Sequence, residues 1–362
     1  MNTPSRTLLI MAGGTGGHVM PALAVAEHLR NEGWRVVWLG TRAGMEARLA
    51  VEKGFDMAWV KVAGVRGKGL LAKLLLPMNL LVAFWQAARA IFRERPDVAL
   101  GLGGYVAFPG GMMASLLAKP LVIHEQNAIA GLTNKILSHV ADRVLLGLPL
   151  ANGGDALGRK GEWVGNPVRP EIAALPAPAE RLAGREGPLR LLVIGGSLGA
   201  SALNECVPQA LARISQAQRP LVRHQSGRQH LDGLKGHYAD AGVKAECLDF
   251  IADMAAAYAW ADLVICRAGA LTVAEIAASG SAALFVPFPY AVDDHQTANA
   301  RFLTDAGAAW LKPQTEFTPA FLADWLMNLT RDALRQRAEK ARAQAKPDAT
   351  ARVVAVLKEL AK

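Results

Sequence analysis

Two glycine-rich turns carry the first chemical signal. Gly13-Gly14-Thr15-Gly16-Gly17-His18 follows the apolar run Leu8 to Met11, and Gly195-Gly196-Ser197-Leu198-Gly199 follows Leu191 to Ile194. Each pattern reads as a strand, a tight turn and the start of a helix. Such a turn presents backbone N–H groups at the positive end of a helix dipole, which suits a phosphate. The first turn does not have the G-x-G-x-x-G spacing of a dinucleotide fold, and no acid ends the second strand, which closes Trp38-Leu39-Gly40-Thr41-Arg42. No glycine turn continues into Lys-Ser or Lys-Thr, so a Walker-type nucleotidase is excluded. The chain also lacks two Asp residues spaced two apart, the pattern of many metal-dependent sugar-nucleotide enzymes. A diphosphate would then be neutralised by helix ends, Arg and Ser, without a metal ion or cofactor.

Within these turns His18 is the sharpest single residue. It opens a helix, where the dipole disfavours a cation and so favours a neutral imidazole. A neutral His could take the proton of an attacking hydroxyl; hydrogen bonding to a phosphate, or packing at the turn, is the alternative. Glu125 is the second candidate base, with an ion pair as its alternative. Farther along, Ala270-Leu271-Thr272-Val273-Ala274-Glu275 reads as a helix start after a strand ending at Cys266. First-turn N–H groups there could face a diphosphate, while Glu275 could accept from both hydroxyls of a ribose or simply cap the helix.

These residues need a frame. Short apolar strands are expected near Leu8–Ala12, Val36–Leu39, Met57–Val62, Val98–Leu102, Leu121–His124 and Val144–Leu146, alternating with amphipathic helices. The second half repeats the pattern near Leu191–Ile194, Leu221–Gln225, Ala245–Phe250, Leu263–Cys266 and Ala283–Val286. Between the halves, residues 165–188 hold five prolines, a linker composition. The expectation is two doubly wound, Rossmann-like α/β domains, 1–168 and 169–346, with ligands in a cleft outside the carboxyl ends of the strands. A last helix restarts after Pro347.

The 362 residues carry 40 Lys+Arg against 31 Asp+Glu and are 52% hydrophobic, enough for real cores. Three cysteines, far apart in sequence, make neither a disulfide framework nor a zinc pair and suit a reducing compartment. Met1 to Arg6 lacks the features of a signal peptide. The basic excess is concentrated in the first half. Between residues 61 and 95, Lys61, Arg66, Lys68, Lys73, Arg89, Arg93 and Arg95 face a single acid, Glu94, beside Leu70, Leu71, Leu74, Leu75, Leu76, Met78, Leu80, Leu81, Val82, Phe84 and Trp85. The uncharged stretch is shorter than the ~20 residues a membrane span needs. An interfacial patch drawn to anionic lipid is one reading. The other is a core helix burying Leu80, Leu81, Phe84 and Ala88 on one face. Nucleic acid is disfavoured, because no helix-turn-helix or finger spacing appears.

Read in order, the motifs Gly13–His18, Gly103-Gly104-Tyr105 with Pro109-Gly110, His124-Glu125-Gln126-Asn127, Gly165-Asn166-Pro167-Val168-Arg169, Gly195–Ala200, Gly269–Glu275 and Asp294-His295-Gln296 with Asn299-Ala300 resemble the MurG family of bacterial glycosyltransferases. The resemblance covers nearly the whole chain, apart from residues 151–162 and 228–246. It implies the GT-B fold, with the helix over 347–362 returning to the first domain. It also implies inverting, metal-independent transfer of N-acetylglucosamine from UDP-N-acetylglucosamine to the C4 hydroxyl of undecaprenyl-pyrophosphoryl-N-acetylmuramoyl-pentapeptide (lipid I to lipid II) in peptidoglycan synthesis.

By the same resemblance, Thr15, Gly16 and Gly17 border the sugar nucleotide, and Asn127 reaches the sugar. Arg169 lies near the diphosphate, Ser197 meets a phosphate oxygen, and the backbone of Ile251 contacts uracil. Ala270, Leu271, Thr272, Val273, Ala274 and Glu275 hold diphosphate and ribose, and Gln296 pairs with sugar hydroxyls. The base stays open between His18 and Glu125. Partners implied are UDP-N-acetylglucosamine, lipid I, an anionic membrane surface through residues 61–95 and other cell-wall synthesis proteins. The expected location is peripheral, on the cytoplasmic face of the inner membrane. A UDP-N-acetylglucosamine 2-epimerase of the same fold, needing no lipid, and a non-catalytic sugar-nucleotide-binding membrane adaptor are the alternatives.

Overall fold

The computed structural model describes residues 5–62, 76–151, 156–196 and 199–361. Ser197, and the stretch of the basic patch holding Arg66, Lys68, Leu70, Leu71, Lys73, Leu74 and Leu75, lie outside the described residues. The chain forms two compact units, Met1–Val168 with Pro347–Lys362, and Arg169–Lys346.

The first unit is a seven-stranded sheet of β1 (Thr7–Ala12), β2 (Arg35–Gly40), β3 (Asp56–Trp59), β4 (Val98–Gly103), β5 (Leu121–Glu125), β6 (Arg143–Leu146) and β7 (Gly161–Trp163). Their order is β3-β2-β1-β4-β5-β6-β7 and every pairing is parallel. Every residue of β1 and β4 is buried, as expected of central strands covered on both faces. Alternation then sorts the side chains. Leu8 and Ile10 join one core with helix α1 (Gly16–Asn31), while Leu9 and Met11 join another with helices α3 (Leu76–Glu94) and α4 (Ala107–Leu116). Two further helices matter for the site, α2 (Met45–Glu52) and α5 (Leu132–Leu137).

The second unit is a six-stranded parallel sheet of β8 (Arg190–Ile194), β9 (Leu221–Gln225), β10 (Glu246–Leu248), β11 (Leu263–Cys266), β12 (Ala283–Phe285) and β13 (Trp310–Leu311), in the order β10-β9-β8-β11-β12-β13. Helices α6 (Ser201–Ala212), α7 (Ala270–Ser279) and α8 (His295–Thr304) follow β8, β11 and β12. The last helix, α9 (Ala349–Leu360), belongs to the first unit. It buries Val353, Val354 and Leu357 in the α1 core, and Lys358 pairs with Glu32 at the end of α1. In each unit the chain reverses its direction of winding beside the first strand, between β1 and β4 and between β8 and β11. Doubly wound sheets place ligands at such switch points.

One local expectation needs correcting. Helix α3 does not bury Leu80, Leu81, Phe84 and Ala88 as a face. Its core side is Ala83, Ala87, Ala90 and Ile91, and Leu81 is 69% exposed. Leu80 and Phe84 are half-buried, Phe84 against the Phe108 ring, whereas Met78, Leu81, Trp85 and Phe92 are exposed.

Candidate functional site

In the first unit the candidate residues gather at the carboxyl ends of β1, β4 and β5. Thr15 is the N-cap of α1 in extended conformation, and its carbonyl accepts the N–H of His18 at 3.1 Å and of Val19 at 3.2 Å. His18 therefore sits in the first helical turn, beside the Gly turn. Its Nδ1 lies 3.2 Å from the carbonyl oxygen of Gly13. A carbonyl only accepts, so Nδ1 carries a proton, and in the neutral ring Nε2 holds the lone pair. The turn after β4 closes over this pair. Gly103 and Gly104 have φ of +112° and +82°, and a Cβ on Gly103 would stand 2.9 Å from His18 Nε2. A Cβ on Gly104 would fall onto the Gly13 carbonyl oxygen. Only glycine fits this approach.

Glu125, at the end of β5, is buried at 2% exposure. Its Oε1 accepts from Asn127 N (3.0 Å) and Asn127 Nδ2 (3.2 Å), and its Oε2 from Gly131 N (3.1 Å) and Asn134 Nδ2 (2.8 Å). Four donors converge on this carboxylate, which locks the 125–134 segment together. That arrangement suits a structural clamp, with donors on both oxygens. The neighbouring His124 is fully buried. Gln126 Nε2 donates to its Nδ1 (3.1 Å), so Nε2–H donates to the Gly165 carbonyl (3.0 Å). Burial pushes its pKa down, against the opposing pull of the Gly165 bond, and favours the neutral ring.

In the second unit, α7 begins at Ala270 with Gly269 as its N-cap, so Ala270, Leu271 and Thr272 form the first turn, with Val273, Ala274 and Glu275 after them. Glu275 is buried at 7% exposure. Its Oε1 is 2.9 Å from Arg169 Nη2 and its Oε2 accepts from the Tyr258 hydroxyl at 3.1 Å. Arg169, expected beside the diphosphate, is thus seated on the carboxylate expected to hold the ribose. Tyr258 is completely buried; burial, then the Glu275 charge, keeps its phenol protonated and donating.

Gln296 and Asn299 brace the segment that leads into α7. Gln296 Oε1 accepts from Ala268 N (3.3 Å) and Phe288 N (2.9 Å), and Asn299 Nδ2 donates to the Ala268 carbonyl (3.1 Å). Just before them Asp293 and Asp294 hold φ of 54° and 50°, a left-handed pair that non-glycine residues avoid. Ile251 is buried three residues beyond β10. Ser197, on the second Gly turn, is outside the described residues.

Sequence reasoning missed two side chains. Tyr258 has no spacing that links it to Glu275. Glu46, in the first turn of α2, is 1% exposed and accepts from Gly14 N (3.2 Å), Thr41 N (3.0 Å) and the Thr41 hydroxyl (2.8 Å). The acid sought at the end of β2 is present, six residues late, and is turned onto the protein's own glycine turn. The glycines around it were a usable signal. A Cβ on Gly13 would stand 3.0 Å from its Oε1, and one on Gly44 would overlap the carboxylate.

Comparison with known proteins adds to this geometry. The Glycosyltransferase family 28 N-terminal domain matches residues 8–146, and the Glycosyltransferase family 28 C-terminal domain matches residues 190–353. A protein of Dechloromonas aromatica is 60% identical over 358 residues, covering 99% of this chain and 100% of its own length. It is named UDP-N-acetylglucosamine--N-acetylmuramyl-(pentapeptide) pyrophosphoryl-undecaprenol N-acetylglucosamine transferase. A protein of the same name from Thiobacillus denitrificans is 60% identical over the full length of both chains. The crystal structure of Acinetobacter baumannii MurG superposes with a TM-score of 0.83 at 43% identity, covering 98% of this chain and 99% of that one. The chain belongs to the MurG family.

Its fold is the two-domain GT-B architecture of MurG, and it is a UDP-N-acetylglucosamine-dependent hexosyltransferase. The fold alone would not have separated the family from its alternative. A Listeria monocytogenes protein described as a "putative UDP-N-acetylglucosamine 2-epimerase" superposes with a TM-score of 0.64 at 15% identity, which speaks for shared architecture only.

Proposed function

We infer that this chain transfers N-acetylglucosamine from UDP-N-acetylglucosamine to the C4 hydroxyl of undecaprenyl-pyrophosphoryl-N-acetylmuramoyl-pentapeptide, converting lipid I to lipid II in peptidoglycan synthesis. Identity of 60% along the whole chain with relatives named for this reaction carries the reading. The first unit takes the acceptor and the second the donor. The step is a single inverting displacement: the C4 hydroxyl attacks C1 of the N-acetylglucosamine, its proton passes to the base, and UDP leaves.

His18 fits the base better than Glu125. Its Nδ1–H is tied to Gly13, which aims the basic Nε2 away from that bond, whereas Glu125 is engaged by four donors. A base of this kind contributes about 10²–10⁴ in rate. Thr15, Gly16 and Gly17 flank it at the mouth of the turn, and Asn127 lies at the end of β5 to meet the donor sugar. In the second unit the first-turn N–H groups of α7 and Ser197 receive the diphosphate, and Glu275 uses its remaining lone pairs for the ribose. Arg169 holds Glu275 in place, beside the phosphates. Ile251 contributes a backbone contact to uracil. Gln296 offers its amide N–H groups to sugar hydroxyls, because its oxygen is taken by Ala268 and Phe288. The leaving diphosphate is neutralised by these donors without a metal.

The protein binds the cytoplasmic face of the inner membrane peripherally. Support comes from α3, where Met78 (65% exposed), Leu81 (69%), Trp85 (62%) and Phe92 (65%) share one stripe with Arg89 and Arg93. No helix among the described residues is long and apolar enough to cross a membrane. The decisive assay mixes the protein, UDP-N-acetylglucosamine and a lipid I analogue in EDTA. UDP release that depends on the analogue is the expected result. Isomerisation of the sugar without acceptor would identify an epimerase, and binding without turnover an adaptor.

A further inference from the structure

The peptide unit between Gly13 and Gly14 is held at both ends. Its carbonyl oxygen accepts His18 Nδ1–H at 3.2 Å, and its N–H donates to Glu46 Oε2 at 3.2 Å. Glu46, the peptide and His18 therefore form one hydrogen-bonded chain: carboxylate, amide, imidazole. Glu46 is a buried carboxylate that no described cation pairs with, yet the fold makes room for it. Gly13, Gly40 and Gly44 all lack the Cβ that would collide with its side chain, and the backbone and hydroxyl of Thr41 fix its other oxygen. A carboxylate kept out of water at such a cost, with one of its oxygens given to the Gly13–Gly14 peptide, needs a reason.

We propose that Glu46 is a positioning residue for the base: it polarises the Gly13–Gly14 peptide, locks the Nδ1–H tautomer of His18 and raises the basicity of Nε2. Resting on the reading of His18 as base, this is the carboxylate–histidine logic of hydrolytic triads with a peptide bond interposed. No proton leaves Glu46. When Nε2 takes the acceptor's hydroxyl proton, the imidazolium is stabilised through the peptide by the distant negative charge. The same arrangement means that the Gly14 N–H is spent on the protein's own carboxylate and is not offered to a phosphate.

Other charges surround the ring more loosely. Of the elements packed on α1, strands β1 and β4 carry no ionisable side chain. Strand β2 has only Arg35 at its far end, α2 adds Arg48 and Glu52, and α9 adds Arg352, Lys358 and Glu359. The adjoining turns add Arg42 and Tyr105. Of these groups, Glu46 is the one bonded to the Gly13–Gly14 peptide.

The test is the pH dependence of kcat at saturating donor and acceptor. Across roughly 8 Å, with an effective dielectric of about 20 to 80, the carboxylate raises the His18 midpoint by about 0.4 to 1.5 pH units. Glu46→Gln should move the acid limb to lower pH by that amount and reduce the plateau about three- to tenfold, because a weaker base accepts the proton less well. Glu46→Asp keeps the charge but withdraws it by a methylene, and should fall between Gln and the unaltered protein. A fall in kcat with the midpoint unmoved in both variants would overturn the relay. His18→Asn separates the two claims: an acid limb that survives it removes His18 as base, whereas its loss leaves the relay to be judged on Glu46 alone. If Glu46→Gln does not fold, Glu46→Asp is judged by the same midpoint. ¹⁵N-histidine spectra of the unaltered protein, assigned by difference from His18→Asn, need no Glu46 variant. They should show the Nδ1–H tautomer above the midpoint, and the Nε2–H tautomer would refute the chain.

Discussion

Replacing Glu275 by Ala separates a binding role from a structural one. In the folded protein the carboxylate joins Arg169 (2.9 Å) to the hydroxyl of Tyr258 (3.1 Å). Truncation leaves the Tyr258 hydroxyl in a dry site without an acceptor, at about 1–3 kcal/mol. The Arg169 side chain is 30% exposed, so water compensates much of its lost pairing and adds less than about 1 kcal/mol. For a unit of this size a loss of that order lowers Tm by about 2–4 °C per kcal/mol. Binding should suffer more. Two hydrogen bonds from ribose hydroxyls to a carboxylate are worth about 1.5–3 kcal/mol each, so losing both raises the Kd for UDP at least ~100-fold. Calorimetric titration with UDP, beside a thermal melt, reads both quantities. Tyr258→Phe is the control: it removes the strut and leaves the carboxylate, so it should lower Tm with at most a severalfold change in Kd. A Glu275→Ala protein that melts early yet binds UDP within threefold of the unaltered chain would refute the ribose assignment and leave Glu275 as a strut.

Gly104→Ala should abolish transfer while leaving UDP affinity unchanged, since its Cβ would land on the Gly13 carbonyl at a φ of +82° and displace the group that holds His18; transfer assay and UDP titration check it, and near-normal turnover would argue against that contact. Replacing Leu81, Trp85 and Phe92 by Ser, with Arg89→Gln and Arg93→Gln, should reduce pelleting with anionic vesicles while leaving the melt intact, because the stripe is exposed; equal pelleting would move the membrane surface elsewhere. Acid should destabilise the second unit through His224, a buried ring whose Nδ1 accepts from Tyr238 and whose Nε2–H donates to Asn204. Burial lowers its pKa to about 3, below its unfolded value, so its neutral form is at no disadvantage above about pH 6.5, and stability is lost as pH falls from there to about 3 at roughly 1.4 kcal/mol per unit. His224→Gln should flatten that part of the Tm–pH curve.

The sheets were legible in the sequence because their central strands are continuous apolar runs between glycine turns, as in Leu8–Met11 and Leu191–Ile194. Strands β7 and β13 carry three and two residues, too few for any period to register. Helix α3 misled for a different reason. Its large apolar residues dominate the pattern, but the buried face is three alanines and Ile91, so hydrophobicity pointed to a flank that is only half-buried, with Leu81 exposed. Most candidate residues lie just beyond strands or at the helix starts that follow them, as with Thr15, Asn127 and Ala270. Their partners were not so legible. Glu125 could be named a candidate base from its motif, but the N–H groups of Asn127, Gly131 and Asn134 that turn toward it are set by the fold. Glu46 was overlooked because a search for a ribose-binding acid stops at the strand's end.

The two glycine turns look like repeats in sequence, yet different side chains surround them. Around the first, a buried carboxylate accepts from the Gly14 N–H, and the turn's carbonyl accepts from a histidine N–H. An approaching phosphate would meet a negative charge there, whereas a hydroxyl would meet the imidazole that we propose as its base. Around the second, the Gly196 carbonyl accepts from Gln225 Nε2 at 3.2 Å, and among the described residues no carboxylate hydrogen-bonds to Gly195, Gly196 or Gly199. Sequence likeness between the halves therefore reports a shared way of ending a strand. The direction in which charge flows at each turn is set by what the neighbouring elements bring to it, and for the first turn that is one glutamate on α2.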